Sequence, residues 1–109
     1  MPSSCYQLTV RLFLTVGFEL TTRAVLDTGS GPTLISRQVL PDDTPLQPLG
    51  DLARRFQDVN GGLLPIVGSV CLGVKVGGQT SYLSFGVVNN MSVPVILGAS
   101  FIDVATKNI

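Results

Sequence analysis

The chain has 109 residues, 45% of them hydrophobic and only 13% charged, with seven Lys plus Arg balancing seven Asp plus Glu. That charged fraction is about half the usual quarter, so a single small domain spanning residues 1–109 is expected, with part of its apolar surface covered by a partner, most simply a second copy. There is no histidine, which excludes Ser-His and Cys-His nucleophilic catalysis and removes the commonest nitrogen ligand of zinc, and the largest basic cluster, Arg54-Arg55, is no footprint of a nucleic-acid binder.

The polar start, Met1-Pro2-Ser3-Ser4, has none of the character of a signal peptide, and Arg11 and Glu19 interrupt the longest apolar stretch, so no membrane span fits. Cys5 and Cys71 stand far apart with no CxxC spacing. A reduced, cytoplasmic setting is expected, with Cys71 a buried small apolar side chain.

From Leu8 the apolar residues fall on even positions: Leu8, Val10, Leu12, Leu14, Val16, Phe18 and Leu20. This is the period-two pattern of a half-buried strand. The run is too long for one straight strand, so Gly17 is expected to mark the turn of a hairpin whose second arm passes through Arg23 to Leu26.

That arm runs into Ala24-Val25-Leu26-Asp27-Thr28-Gly29-Ser30-Gly31. An aspartate in a turn ordinarily caps neighbouring amides. Here it follows what reads as a buried strand end, where a carboxylate is costly unless hydrogen-bonded or paired. Asp27 is therefore a candidate functional residue, and carboxylates are the main groups left for acid–base work.

Thr33-Leu34-Ile35-Ser36 reads as a short apolar strand, and the three prolines at 41, 45 and 48 make the following segment a surface loop. Residues 56–66 read as a hairpin tipped by Asn60-Gly61-Gly62, with Asn-Gly the strongest short-range hairpin signal. A mobile cover and an idle surface turn are equally open on this stretch alone.

The first pattern then returns. Val70, Leu72, Val74 and Val76 alternate, Gly77-Gly78 makes the turn, and residues 81–88 form the return arm with Leu83, Phe85 and Val87 apolar. Val10-Arg11-Leu12-Phe13-Leu14-Thr15-Val16-Gly17 matches Val70-Cys71-Leu72-Gly73-Val74-Lys75-Val76-Gly77 at Val, Leu, Val and Gly, an internal duplication. Val95-Ile96-Leu97-Gly98 then repeats the strand at Thr33-Leu34-Ile35-Ser36. Two equivalent β-arches would build an all-β domain with a pseudo-twofold. Only residues 99–104 suggest helix, and 105–109 suggest one more short strand.

An apolar pair before Asp27-Thr28-Gly29, an Asn60-Gly61-Gly62 hairpin, and Val95-Ile96-Leu97-Gly98 before a short helix together resemble the retropepsins, the aspartic proteases of retroviruses and LTR retrotransposons. The resemblance covers the chain from Leu8 to about Val104. It implies a small, closed, barrel-like all-β acid-protease fold with an internal pseudo-twofold, a flap hairpin and one short C-terminal helix. It also implies an aspartic endopeptidase without cofactor or metal, active as a homodimer. One Asp-Thr-Gly per chain supplies one carboxylate, while the chemistry needs two sharing a proton, so the two copies of Asp27 would meet at the twofold axis and activate a water.

By the same resemblance, Thr28 bonds across the dyad, Gly29 admits the substrate backbone, and the Ser30 hydroxyl donates to the outer oxygen of Asp27, as in pepsin-type enzymes. Val59, Asn60, Gly61, Gly62, Leu63 and Leu64 would form the flap. Leu26, Val95, Ile96, Leu97 and Gly98 would line the pocket or support the catalytic loop, with Val25, Leu26, Leu34, Ile35, Ile96 and Leu97 mainly core. An apolar lining from Leu26, Val59, Leu64, Val95 and Ile96 favours hydrophobic side chains at the cut. Many retroviral members carry an acid and an arginine where this chain has Gly31 and Ala99, and losing both leaves no buried charge stranded. The terminal segments would be interface strands.

The expected partners are a second copy and a polyprotein or peptide substrate, with no nucleic acid and no membrane, inside the cell or a virus-like particle. A host-encoded, domesticated domain and a noncatalytic dimerisation or peptide-binding module on the same fold are the alternatives. The intact Asp27-Thr28-Gly29-Ser30 argues against the latter, because a scaffold has no need of that acid.

Overall fold

Alternation over the first segment produces a long antiparallel hairpin, β1 (Cys5–Phe13) with β2 (Glu19–Asp27), in register from Cys5 opposite Asp27 to Phe13 opposite Glu19. The computed structural model describes residues 5–14, 17–27, 29, 31–49 and 66–107. Gly17 lies in the connection at φ +76°, a conformation glycine adopts without cost. The second hairpin, β4 (Ile66–Val76) with β5 (Gln79–Val88), closes through Gly77-Gly78, with Gly77 at φ +60°. A two-residue turn with the positive φ at its first central position suits the twist of the strands it joins.

Two three-residue strands, β3 (Leu34–Ser36) and β6 (Val95–Leu97), complete a closed barrel in the order β1-β2-β6-β3-β5-β4. Each short strand runs parallel to the long strand of the other half. Ala24 and Val25 of β2 face Val95 and Ile96, just as Val87 and Val88 of β5 face Ile35 and Ser36. The two short strands then pair antiparallel at the centre, Leu34 with Ile96 and Ile35 with Val95. Exchanging the halves and reversing the order leaves the barrel unchanged, which is the expected pseudo-twofold. The flap part of the expectation, residues 59–64, lies outside the described residues.

The core is what the alternation aims inward: Val10 and Leu12 of β1, Ala24 of β2, Leu72 and Val74 of β4, and Phe85 and Val87 of β5, all buried. The same alternation corrects the reading of Cys71, which is an exposed free thiol. Its neighbours Val70 and Leu72 point in, so it must point out. Val25 and Ile96 are corrected likewise. Both are half-buried and stand outside the core cluster, whereas Leu34, Ile35 and Leu97 are buried as expected.

On the outer face, Gly73 lies beneath the ring of Phe13; an added Cβ would meet Phe13 Cζ at 2.4 Å. That ring packs edge-on to Tyr82, centroids 5.7 Å apart, so cross-strand aromatics cover the backbone that glycine leaves bare. Gln47, between Pro45 and Pro48, keeps its N–H and exchanges two backbone bonds with Ser69 of β4 at 2.8 and 2.9 Å. The proline loop is thus tied to the barrel, where Leu46 also packs against the core and Arg37 donates to the Pro41 and Asp42 carbonyls.

The C-terminal helix α1 (Ala99–Lys107) is longer than the expected 99–104, and it takes in residues read as strand. Phe101, Ile102, Val104 and Ala105 pack against the core. Gln79 Nε2 donates to the Ala105 carbonyl at 2.7 Å, and Lys107 pairs with Asp103 at 3.3 Å. The last turn therefore has both tertiary and i,i+4 support. Among the described residues no helix is long and apolar enough to cross a membrane.

Candidate active site

Asp27 is the last residue of β2 and stands opposite Cys5 of β1. The strand alternates, with Ala24 buried and Leu26 packed on the core. The odd positions Glu19, Thr21, Arg23, Val25 and Asp27 face outward, the first three exposed and the last two half-buried. Asp27 Oδ1 accepts the backbone N–H of Gly29 at 3.0 Å, closing an Asx turn. A Cβ on Gly29 would stand 3.4 Å from that same oxygen, in ordinary van der Waals contact. The acid is thus held at a strand end, anchored through one oxygen.

The chain beyond it is docked on the start of α1 by neutral bonds. The Gly31 carbonyl accepts from the Ser100 N–H at 3.0 Å. Thr33 is fully buried. Its hydroxyl accepts from the Gly98 N–H at 3.1 Å and shares a 2.7 Å hydrogen bond with the Ser100 hydroxyl. The Thr33 carbonyl also accepts from the Gly86 N–H at 2.9 Å, tying the same residue to β5. Where many retroviral members would place an ion pair, around Gly31 and Ala99, this chain carries a hydroxyl and amide network that needs no charge. Thr33 and Ser100 were not singled out from the sequence. The available signal was a hydroxyl opening a run of buried residues, because such a group must find a partner.

A groove of about 150 Å³ opens on the same outer face of β2, lined by Gln7, Arg23, Ala24, Val25, Val93 and Pro94. Arg23 Nη1 donates to Gln7 Oε1 at 3.1 Å across its mouth. Val25, two residues before the acid on the same face of β2, is the lining residue nearest Asp27 in sequence. Of the residues expected to line a pocket, Val95 is fully buried and belongs to the core, so the expectation that it touches substrate is corrected. Leu97 is likewise buried and Leu26 packs against the core, and the Gly98 N–H donates to the Thr33 hydroxyl. Ile96 is half-buried beside Val25. Thr28, Ser30, Val59, Asn60, Gly61, Gly62, Leu63 and Leu64 lie outside the described residues. Among the described residues no group of three or more acidic, Cys or His side chains is placed to hold a metal.

No protein-family model and no curated protein sequence matches the chain. Its backbone is similar to the crystal structure of the retroviral protease-like domain of Ddi1 from Leishmania major, with a TM-score of 0.53 over 90% of this chain and 72% of that one, at 15% identity. The chain has a retroviral protease-like fold. On that fold, Asp27 stands at the end of β2 and the segment from Gly31 to Thr33 docks on the start of α1.

Proposed function

We propose that the protein is an aspartic endopeptidase that works as a homodimer and cuts extended peptide at hydrophobic sites. The observation that carries this reading is Asp27: a half-buried carboxylate at the end of a barrel strand, held by the Gly29 amide at 3.0 Å, beside an apolar groove on a retroviral protease-like barrel. The pseudo-twofold supports the dimer. The chain carries one Asp-Thr-Gly, at Asp27-Thr28-Gly29, and its second half repeats the barrel strands without a second one, so another copy of Asp27 supplies the second acid.

In the dimer, two carboxyls about 3 Å apart share one proton, as in aspartic proteases generally, because like charges at that distance cannot both ionise. The ionised member takes a proton from water, whose oxygen attacks the scissile carbonyl carbon. The protonated member gives its proton to the carbonyl oxygen, so charge does not accumulate there. The Asx turn to Gly29 and the docking of Gly31 and Thr33 on α1 keep each acid in register with its partner. Val25 and Pro94 receive an apolar side chain next to the cut. Residues 59–64 are assigned the covering role on the strength of their sequence.

The test is cleavage of a mixed hydrophobic peptide library over about pH 4 to 7, on the acidic side where a carboxyl dyad sharing one proton works. Wild type, Asp27→Asn and wild type with pepstatin are run side by side, with dimerisation followed by sedimentation. Cleavage that needs Asp27 and rises with dimer fraction supports the reading. A dimer that cuts nothing overturns it in favour of a noncatalytic module, and cleavage by Asp27→Asn as fast as by wild type overturns it by removing Asp27 from the chemistry.

A further inference from the structure

The outward residues of β1, β2 and β4 form a grid. Lys75 of β4 stands directly opposite Arg11 of β1, and Arg11 opposite Thr21 of β2. One rung nearer Asp27, Thr9 faces Arg23; one rung further still, Gln7 faces Val25. Arg11, Arg23 and Lys75 are all exposed and share this one face.

The charge on the grid is incompletely balanced. Like charges directly opposed across strands are destabilising, yet Arg11 and Lys75 are so placed. Arg11 has Glu19 at 3.6 Å, in a pair more than half exposed at the acid. Lys75 and Arg23 have no ion pair among the described residues. Between the cations lies a concavity of about 320 Å³ lined by Thr9, Val10, Arg11, Thr21, Lys75 and Gly77, with two hydroxyls set among two positive groups. Its chemistry suits carboxylates.

Continuity with the groove decides whose carboxylates they are. Arg23 lines the groove together with Val25, which precedes Asp27 by two residues on the same outward face of β2, and it is also the cation of the strip nearest that acid. We propose that Arg23, Arg11 and Lys75 form a docking strip for acidic side chains on the peptide substrate, outside the segment that is cut. At about 3.3 Å per residue, an extended peptide must run at least about four residues from the cut to reach Arg23, and about six to reach the rung of Arg11 and Lys75. The substrate class is therefore a hydrophobic cleavage site flanked at that distance by an acidic stretch. The inference rests on the protease reading for the word substrate, and on the strip alone for the docking.

The experiment compares two peptides sharing one hydrophobic cleavage segment and differing in an extension of glutamates or of glutamines. Cleavage is measured with wild type, and binding is measured separately by fluorescence anisotropy on the Asp27→Asn protein. The glutamate peptide is expected to have a KM lower by roughly three- to tenfold at low salt, the range for a few exposed ion pairs. Its advantage should shrink as salt screens it. Arg11→Gln with Lys75→Gln should abolish the advantage while leaving turnover of the glutamine peptide unchanged, and Arg11→Glu with Lys75→Glu should invert it. Equal binding of the two peptides by folded Asp27→Asn protein, or an advantage that survives the glutamine variants, overturns the proposal. So does an oligonucleotide of equal charge that displaces the glutamate peptide at equal concentration, because the strip would then be a general polyanion surface. Anisotropy that follows the strip variants in a protein that cuts neither peptide would retain the docking and refute the protease reading.

Discussion

Thr33→Val keeps the size and β-branching of the side chain and removes only the hydroxyl, at a residue that is fully buried. That hydroxyl accepts the Gly98 N–H and pairs with Ser100. Its loss strands a buried amide, at about 1–3 kcal/mol, and removes one further hydrogen bond worth about 1 kcal/mol. The expected destabilisation is about 2–4 kcal/mol. For 109 residues, the unfolding entropy is about 0.23 kcal/mol/K, so the melting midpoint should fall by about 9–17 °C. Thr33→Ser keeps the hydroxyl and gives up one methyl, costing about 1 kcal/mol, or about 4 °C. Thermal unfolding followed by circular dichroism at one fixed protein concentration separates the two variants. Ser100→Ala, which leaves the Gly98 bond in place, should resemble Thr33→Ser, and combining it with Thr33→Val should cost less than the sum. Thr33→Val and Thr33→Ser melting together would refute the view that a hydroxyl network docks the segment after Asp27 on α1.

The β4–β5 turn gives a sharper contrast between neighbours. Gly77→Ala places a side chain at φ +60° and should cost about 1–2 kcal/mol. Gly78→Ala, with no positive φ and open space around its added Cβ, should be close to neutral by urea denaturation. In the groove, Val25→Ala removes two methyls from a half-buried wall and should raise KM for peptides with bulky side chains at the cut by about fourfold, with kcat unchanged, the pattern of lost uniform binding. A fall in kcat at constant KM would instead mean that Val25 holds Asp27 in place.

Short-range physics was legible along the chain. Even-numbered apolar residues from Leu8 to Leu20 and from Val70 to Val76 specify which side of each strand is buried, and Gly17 and Gly77 mark turns that need positive φ. Asp27 stood out because an acid after Ala24-Val25-Leu26 demands a partner, and the Gly29 amide is one. Strict alternation, applied through the whole strand, would also have turned Cys71 and Val25 outward. Both were misjudged because apolar character was given more weight than period. The helix was drawn too short because its last turn is held by Gln79, which is distant in sequence.

The period, the turns and the acid are local matters, each set within a few residues by sterics and solvation. The remaining features come from closure of the whole barrel. Closure of the barrel inserts β6 between β2 and β3, and with it come the parallel registers that bring Ile96 beside Val25 and Thr33 within 2.7 Å of Ser100, 67 residues away. The same closure places Lys75 opposite Arg11. Pairings of that kind depend on every strand at once, because one register must bury both faces of the duplication together, and no local window of the chain contains that condition.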